Sequence, residues 1–372
     1  MRIGIMLRSI DEKGGIGVYT RNITRELLDL DRDNRYVLLY RSRNHLGRFA
    51  HYDQATERVL AAPNKAVWDQ VSIPLACWQE KLDLLFHPKF TVPLLAPCKT
   101  VMVLHGAGWF MPEFQSYWSA ADLRYVRAVM PVYCRRASSV ISVSQLTTDT
   151  FNRTFHLPPG KIITVYFAPA RIFRRVTERQ ILDRVRTRYN LPDRFIFTLS
   201  GYDRGDRKNF AGILNAFTSH HGKTQHQLIV GGRDCHKFKV DYGIPDSGYG
   251  KDILFPGWIE QEDLPAIYSL ADVFLYPSNV EAFPIPITEA MACGTPIITS
   301  NANGLVEIVG EAALHVNPDD HAEIAAALQR ILADPQLRES LSETGTRRAQ
   351  MFSWDRCARE TLRILTETVS RS

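Results

Sequence analysis

The sequence lacks most of the features that would settle its class at once. Its six cysteines (Cys77, Cys98, Cys134, Cys235, Cys293, Cys357) are scattered without a C-x-x-C pair, and its eleven histidines form no H-E-x-x-H. Neither a disulfide framework nor a metal cage is therefore indicated, and no metal ligands are assigned. No run approaches 18 uncharged apolar residues, and the apolar start Met1 to Leu7 is broken by Arg8 and Asp11. That is too short for a signal-peptide core, so a soluble, cytoplasmic protein is expected. There is no internal repeat, no low-complexity tract and no complete G-x-G-x-x-G. With 45% hydrophobic and 23% charged residues, the chain is neither disordered nor collagen-like.

What is present is a two-domain rhythm in 372 residues. Strands are predicted at Ile3 to Leu7, Tyr36 to Tyr40, Leu82 to Phe86, Thr100 to Leu104, Val140 to Val143 and Lys161 to Val165. Helices are predicted over Gly17 to Leu30 and Ala121 to Arg136. Pro158-Pro159-Gly160, Pro169 and the charged stretch Arg171 to Arg188 interrupt this pattern, which places a boundary near residue 170. Alternation resumes with strands at Phe195 to Leu199, Gln227 to Val230, Ile253 to Phe255, Val273 to Tyr276 and Pro296 to Thr299, and helices at Phe210 to His220 and Asp263 to Leu270. From Asp319 onward the chain reads as helical. Repeated strand and helix implies mostly parallel sheets, hence α/β with two doubly wound, Rossmann-like domains in series, facing across a cleft.

In such sheets ligands bind beyond the carboxyl ends of the strands, so motifs there carry the functional weight. The richest is Tyr276 to Ala292, in which a strand ends, a loop carries Glu281, and Pro286 opens a helix. Amides of Ile287 and Thr288 at that helix mouth suit a phosphate. Glu289, placed in the first turn, suits the hydroxyls of a ribose or sugar, and Glu281 a second polyol. The alternatives are a carboxylate complementing the helix and a solvated loop charge. Ser200 to Asn209 also follows a strand, and its Arg207 and Lys208 could neutralise a diphosphate, although a basic surface turn is the plain alternative. Lys13-Gly14-Gly15-Ile16-Gly17 allows close backbone approach to a ligand or merely a tight turn. His105 closes a strand and is suited to hydrogen bonding or proton transfer. The aromatic segment after it, Trp109, Phe110, Phe114, Tyr117 and Trp118 around Glu113, could stack on sugars, dip into a bilayer surface, or form a satellite hydrophobic cluster.

These residues together resemble glycosyltransferase family 4, the retaining enzymes of the GT-B fold. Glu281 to Glu289 is similar to the family's E-x7-E signature, continued by Ala290 to Pro296 and Glu307 to Ala313. Lys208-Asn209, Gly14 to Gly17, His105, Ser144 and Phe352-Ser353-Trp354 agree in order and spacing. The resemblance implies an N-terminal acceptor domain over 1–169, onto which a last helix 354–372 packs back, and a C-terminal nucleotide-sugar domain over 170–353. It implies that His105, Glu281, Arg207 and Lys208 serve the transfer. Donor contacts would come from Gly15, Gly17, Arg204, Gly257, Ile259, Phe283, Ile287, Thr288 and Glu289, and acceptor contacts from Trp109 and Glu113. No metal or other cofactor is implied. Departures from the pattern are Ala282 and Pro284 where glycines are common, Gly106 after the histidine, and Gly201-Tyr202 where Gly-Arg is frequent. That last change leaves Arg204 or Arg207 to supply the guanidinium.

The expected activity is retaining transfer of a hexose or deoxyhexose, such as mannose or rhamnose, from a nucleotide-diphosphate sugar to a glycan or lipid-linked acceptor in surface polysaccharide biosynthesis. A catalytically silent nucleotide-sugar or glycan-binding protein is the alternative. Residues 1–168 hold 21 Lys and Arg against 14 Asp and Glu, whereas 169–372 hold 24 against 26. A basic first half fits peripheral contact with the cytoplasmic face of an inner membrane. Nucleic acid is not an expected partner, because the charge is not organised into a reading motif.

Overall fold

The computed structural model describes residues 1–12, 14–202, 206–222, 224–302 and 304–370. The chain divides into two compact units, Met1–Phe167 with Phe352–Ser372, and Ala168–Met351. In the first unit seven strands run β1 (Arg2–Met6), β2 (Arg35–Tyr40), β3 (Ala55–Val59), β4 (Leu84–His87), β5 (Lys99–Leu104), β6 (Ser139–Ser142) and β7 (Ile162–Thr164). They lie in the order β3-β2-β1-β4-β5-β6-β7, every pair parallel. The second unit holds β8 (Phe195–Leu199), β9 (Gln227–Gly231), β10 (Ile253–Gly257), β11 (Val273–Tyr276), β12 (Ile297–Ser300) and β13 (Leu314–Val316). Their order, β10-β9-β8-β11-β12-β13, is again wholly parallel. Each unit is thus a Rossmann-like sheet whose order reverses once, between β1 and β4 and between β8 and β11.

The strands form where apolar residues run without interruption, as in β4, β6, β11 and β12, whose residues are all buried. Helices cover both faces of a parallel sheet, so alternation is lost and continuous hydrophobicity replaces it. Two strands escape that rule. Strand β3, Ala-Thr-Glu-Arg-Val, is an edge strand of half-buried and exposed residues, and β13 has three residues at the opposite kind of edge in its own sheet. Edges tolerate charge and brevity, which hides them from an apolar-run reading.

The helix Gly15–Leu30 buries Tyr19, Ile23, Leu27 and Leu28. The C-terminal helix Trp354–Ser370 belongs to the first unit, where Trp354 packs against Tyr19 and Phe167 with centroids 5.8 Å apart in each case. Thr368 Oγ1 donates to Ser139 Oγ at 2.8 Å, tying the end of that helix to β6. No helix among the described residues is long and apolar enough to cross a membrane.

Candidate active site

The loops that leave β8 and β11 meet at the point where the second sheet reverses. The first runs to the helix Phe210–His220 and is held by two residues in the left-handed region, Asp206 (φ 46°) and Asn209 (φ 58°). Non-glycine residues enter that region at a cost, which their hydrogen bonds here repay. The Asp206 carboxylate accepts from the amides of Phe210 (2.5 Å) and Ala211 (3.0 Å) and from the Tyr242 hydroxyl (2.8 Å). Asn209 caps the helix by accepting from Gly212 N, and its amide group donates to the carbonyls of Pro277 and Pro318. The Arg207 carbonyl in turn accepts from Asn279 N (3.0 Å) and Ser278 Oγ (3.1 Å). Arg207 and Lys208 are thereby fixed against the loop that carries Glu281.

Glu281 Oε1 accepts from Arg207 Nη1 (2.9 Å), Lys208 Nζ, the Tyr276 hydroxyl (2.9 Å) and Ser278 Oγ (3.2 Å). Lys208 Nζ also donates to the Tyr276 hydroxyl and lies 4.4 Å from the centroid of that ring. Burial alone would push the Glu281 carboxyl up, but Lys208 and Arg207 hold it below its ordinary value. The reading of Glu281 as a solvated charge is therefore set aside. Two cations thus share one carboxylate oxygen where the loops after β8 and β11 meet. The motifs give Tyr276, Ser278 and Asp206 no role and include Asn209 only beside Lys208. Their positions are legible all the same, since each lies within four residues of a strand end or helix start.

Glu289 stands in the second turn of the helix Ile285–Ala292, not the first. It is buried, burial pushes its carboxyl up to about 8, and the Tyr268 hydroxyl donates to Oε2 at 3.3 Å. The amides of Ile287 and Thr288, expected to face a ligand, instead donate to the Pro284 carbonyl at 3.1 and 3.2 Å, and both side chains are buried. Pro284, where the family often has glycine, supplies that acceptor as the residue before the helix. Phe283 is buried, and its carbonyl accepts from Ile285 N. A Cβ on Gly304 would lie 2.7 Å from the Ala282 carbonyl oxygen and 2.9 Å from that of Glu281, so Gly304 lets the Glu281 loop lie flat on the next helix. Gly257 ends β10 with φ 79° and its carbonyl accepts from Gly232 N. The Ile259 side chain fills the core against Gly231, so only its backbone is left for a base. Arg204 lies outside the described residues.

In the first unit, His105 follows β5. Its Nε2 donates to the Pro88 carbonyl at 2.9 Å, which sets the tautomer and leaves Nδ1 as an acceptor. Burial lowers its pKa to about 4, against the pull of the Pro88 carbonyl. The ring is neutral at pH 7, suited to hydrogen bonding and not to taking up a proton. Beneath it lies a cluster the sequence did not announce. Arg8 Nη1 donates to Asp69 Oδ2 at 2.7 Å, Thr91 Oγ1 reaches the same oxygen at 3.2 Å, and His87 Nδ1 pairs with the Thr91 carbonyl at 2.7 Å. Asp69 and Trp68 sit on a π-helical stretch, Trp68–Ser72, a distortion that often marks function.

In the glycine turn, Gly17 makes its close approach to the chain itself. A Cβ on Gly17 would lie 1.8 Å from the Glu12 carbonyl oxygen, whereas Gly14 meets nothing within 4 Å. Gly15 is exposed at the first helical position. The aromatic segment also turns inward. Trp109 and Phe110 pack on the core of β5, β6 and the helix Ala120–Arg136, with Phe110 5.2 Å from Phe151 and 5.0 Å from Phe155. Glu113 is exposed. Trp109 and Phe110 thus pack as in the satellite-cluster alternative, while Phe114, Tyr117 and Trp118 are only half-buried.

Two all-parallel sheets of this order in one chain, with a cation-held carboxylate at the reversal of the second, define a protein of the GT-B type. Residues 183–348 match the family model described as Glycosyl transferases group 1. The chain is 29% identical over 289 residues to O-antigen chain mannosyltransferase B of Escherichia coli, covering 75% of this chain and 73% of that protein. It spans about a third of several other mannosyltransferases with which it shares sequence. Its fold is similar to sucrose-phosphate synthase from Thermosynechococcus elongatus (TM-score 0.78, 21% identity, the full length of both chains). It is also similar to Anabaena HepE in complex with UDP and glucose (TM-score 0.76, 17% identity, 99% of this chain and 100% of that one). The chain is a glycosyltransferase.

Proposed function

We propose that the protein is a retaining hexosyl- or deoxyhexosyltransferase, moving a sugar such as mannose or rhamnose from a nucleotide-diphosphate donor to a glycan or lipid-linked acceptor during assembly of a surface polysaccharide. The observation that carries this reading is the cluster of Arg207 and Lys208 on Glu281 at the reversal of the second sheet. A departing diphosphate gains negative charge as its bond to the sugar breaks. Preorganised cations in a partly buried site stabilise that charge without reorganising. Glu281 holds the cations in place through Oε1, and Oε2, which takes no hydrogen bond from the described residues, receives a sugar hydroxyl. Glu289 receives the ribose hydroxyls, and His105 the reacting sugar through Nδ1.

Sequence likeness to an O-antigen mannosyltransferase supports the acceptor class, and the UDP and glucose seen with HepE support a nucleotide-sugar donor. In the front-face mechanism implied by the family resemblance, the departing phosphate oxygen takes the acceptor's proton, so positioning supplies much of the rate. Arg207 and Lys208 take the part a metal would otherwise play. We place the protein peripherally at the cytoplasmic face of a membrane, where a lipid-linked acceptor would be met.

The test begins with thermal shift against UDP, GDP, dTDP and ADP sugars. The stabilising donor is then incubated, radiolabelled, with glycan acceptors in EDTA. One nucleotide series should stabilise the protein, and labelled product should form with the donor's anomeric configuration. Stabilisation by none of them, or strict dependence on added Mg²⁺, would count against the reading.

A further inference from the structure

The helical run 65–79 connects β3 to β4 and buries Trp68, Ile73, Ala76 and Cys77 against Met6, Val37, Leu39 and Leu85. Its outer side should then be polar, because a surface helix normally pairs an apolar stripe with a charged one. Instead Val71, Leu75 and Trp78, spaced four and three residues apart, are 50%, 55% and 72% exposed. The loop before β5 extends this face. Leu94 N donates to Gln70 Oε1 at 2.9 Å, and Arg136 Nε and Nη2 donate to the carbonyls of Leu94 (2.7 Å) and Ala96 (2.9 Å). Those bonds place Leu94 and Leu95, the latter 81% exposed, between the run 65–79 and the helix Ala120–Arg136. Val132, one turn before Arg136, is also exposed. Six exposed apolar side chains on these neighbouring segments mark a docking site.

The surrounding charge says what docks. Exposed charges on the two helices are Lys65, Arg124, Arg127 and Arg135 against Asp122. Asp69 is buried on Arg8, and Glu80 is bound by Arg2 and Arg58. The first unit as a whole holds 25 Lys and Arg against 17 Asp and Glu, the second 20 against 23. Exposed tryptophan and leucine side chains on elements whose exposed charges are mostly cationic match a bilayer interface, where the apolar groups enter the acyl boundary and the cations meet anionic headgroups.

We propose that this face, built by Val71, Leu75, Trp78, Leu94, Leu95 and Val132, docks the protein on an anionic phospholipid surface. The proposal rests on the peripheral location given above and not on the transfer chemistry. It also relocates the contact, because the aromatic segment 109–118 is folded partly into the core.

The experiment is co-sedimentation of the full chain, without donor or acceptor, with vesicles of phosphatidylglycerol and phosphatidylethanolamine or of phosphatidylcholine alone. Binding to the anionic vesicles should exceed binding to phosphatidylcholine and weaken with salt. In Trp78→Ser/Leu95→Ser the lipid needed for half-binding should rise by about tenfold or more. Arg124→Glu/Arg127→Glu should weaken binding to anionic vesicles alone, and Val240→Ser, an exposed apolar residue of the second unit, should change nothing. Unchanged binding in the first double variant would overturn the proposal. So would absence of binding to either vesicle, or concentration-dependent self-association that the same variant abolishes. Activity on a soluble acceptor reports on the transfer separately, so loss of one reading leaves the other standing.

Discussion

Glu281 and Glu289 are eight residues apart and live in opposite electrostatic worlds. Glu281 is surrounded by donors and stays ionised, while Glu289 is buried beside one tyrosine and titrates near 8. A carboxyl raised in the folded state makes that state hold the proton more tightly than the unfolded chain does. Its contribution is therefore most favourable below the ordinary value of about 4.5 and is lost as pH rises toward 8, at about 1.4 kcal/mol per unit. Urea melts should show Glu289→Gln gaining stability over wild type progressively from pH 5 to pH 8, and a constant difference would contradict the burial argument. For Lys208→Ala, kcat should fall by about a hundredfold with a smaller change in donor KM, because the charge it meets grows in the transition state. Steady-state kinetics at saturating acceptor would measure both.

At the scale of elements, the decisive feature is that the loops after β8 and β11 leave adjacent strands. That adjacency exists only because the sheet order reverses there, so cations 74 and 73 positions before Glu281 reach one of its carboxylate oxygens. Both loops could be picked out from the sequence, since strand and helix patterns flank them. Their mutual bonds could not, since nothing local specifies that Arg207 meets Glu281 and not solvent. The glycine turn shows the converse error. Its glycines look equivalent in sequence, yet Gly17 is pressed on the Glu12 carbonyl while Gly14 meets nothing within 4 Å. Gly17→Ala should cost ~1–3 kcal/mol by overpacking, whereas Gly14→Ala should stay within ~0.5 kcal/mol. Chemical denaturation of both variants would check this, and equal losses would return the turn to a purely conformational role.

For the whole molecule, the last helix matters to the first unit. Trp354, Cys357, Ile364 and Leu365 are buried there, which at the usual value of apolar burial is worth about 5–10 kcal/mol, comparable to the stability of a domain. Truncation after Met351 should therefore strip amide-exchange protection from residues 1–167 while leaving 168–351 protected. Loss confined to the second unit would refute the assignment.

The strands buried on both faces, the long amphipathic helices and the position of the motifs at strand ends can be read from the chain unfolded, because they follow from runs and periods that neighbouring residues decide. The edge strands β3 and β13, the Arg8–Asp69–His87 cluster, the inward turn of Trp109 and Phe110, and the outward apolar face at Trp78 emerge only on folding. Each depends on which distant segment supplies the opposing surface, and burial, unlike periodicity, is not a property of a segment but of what lies against it.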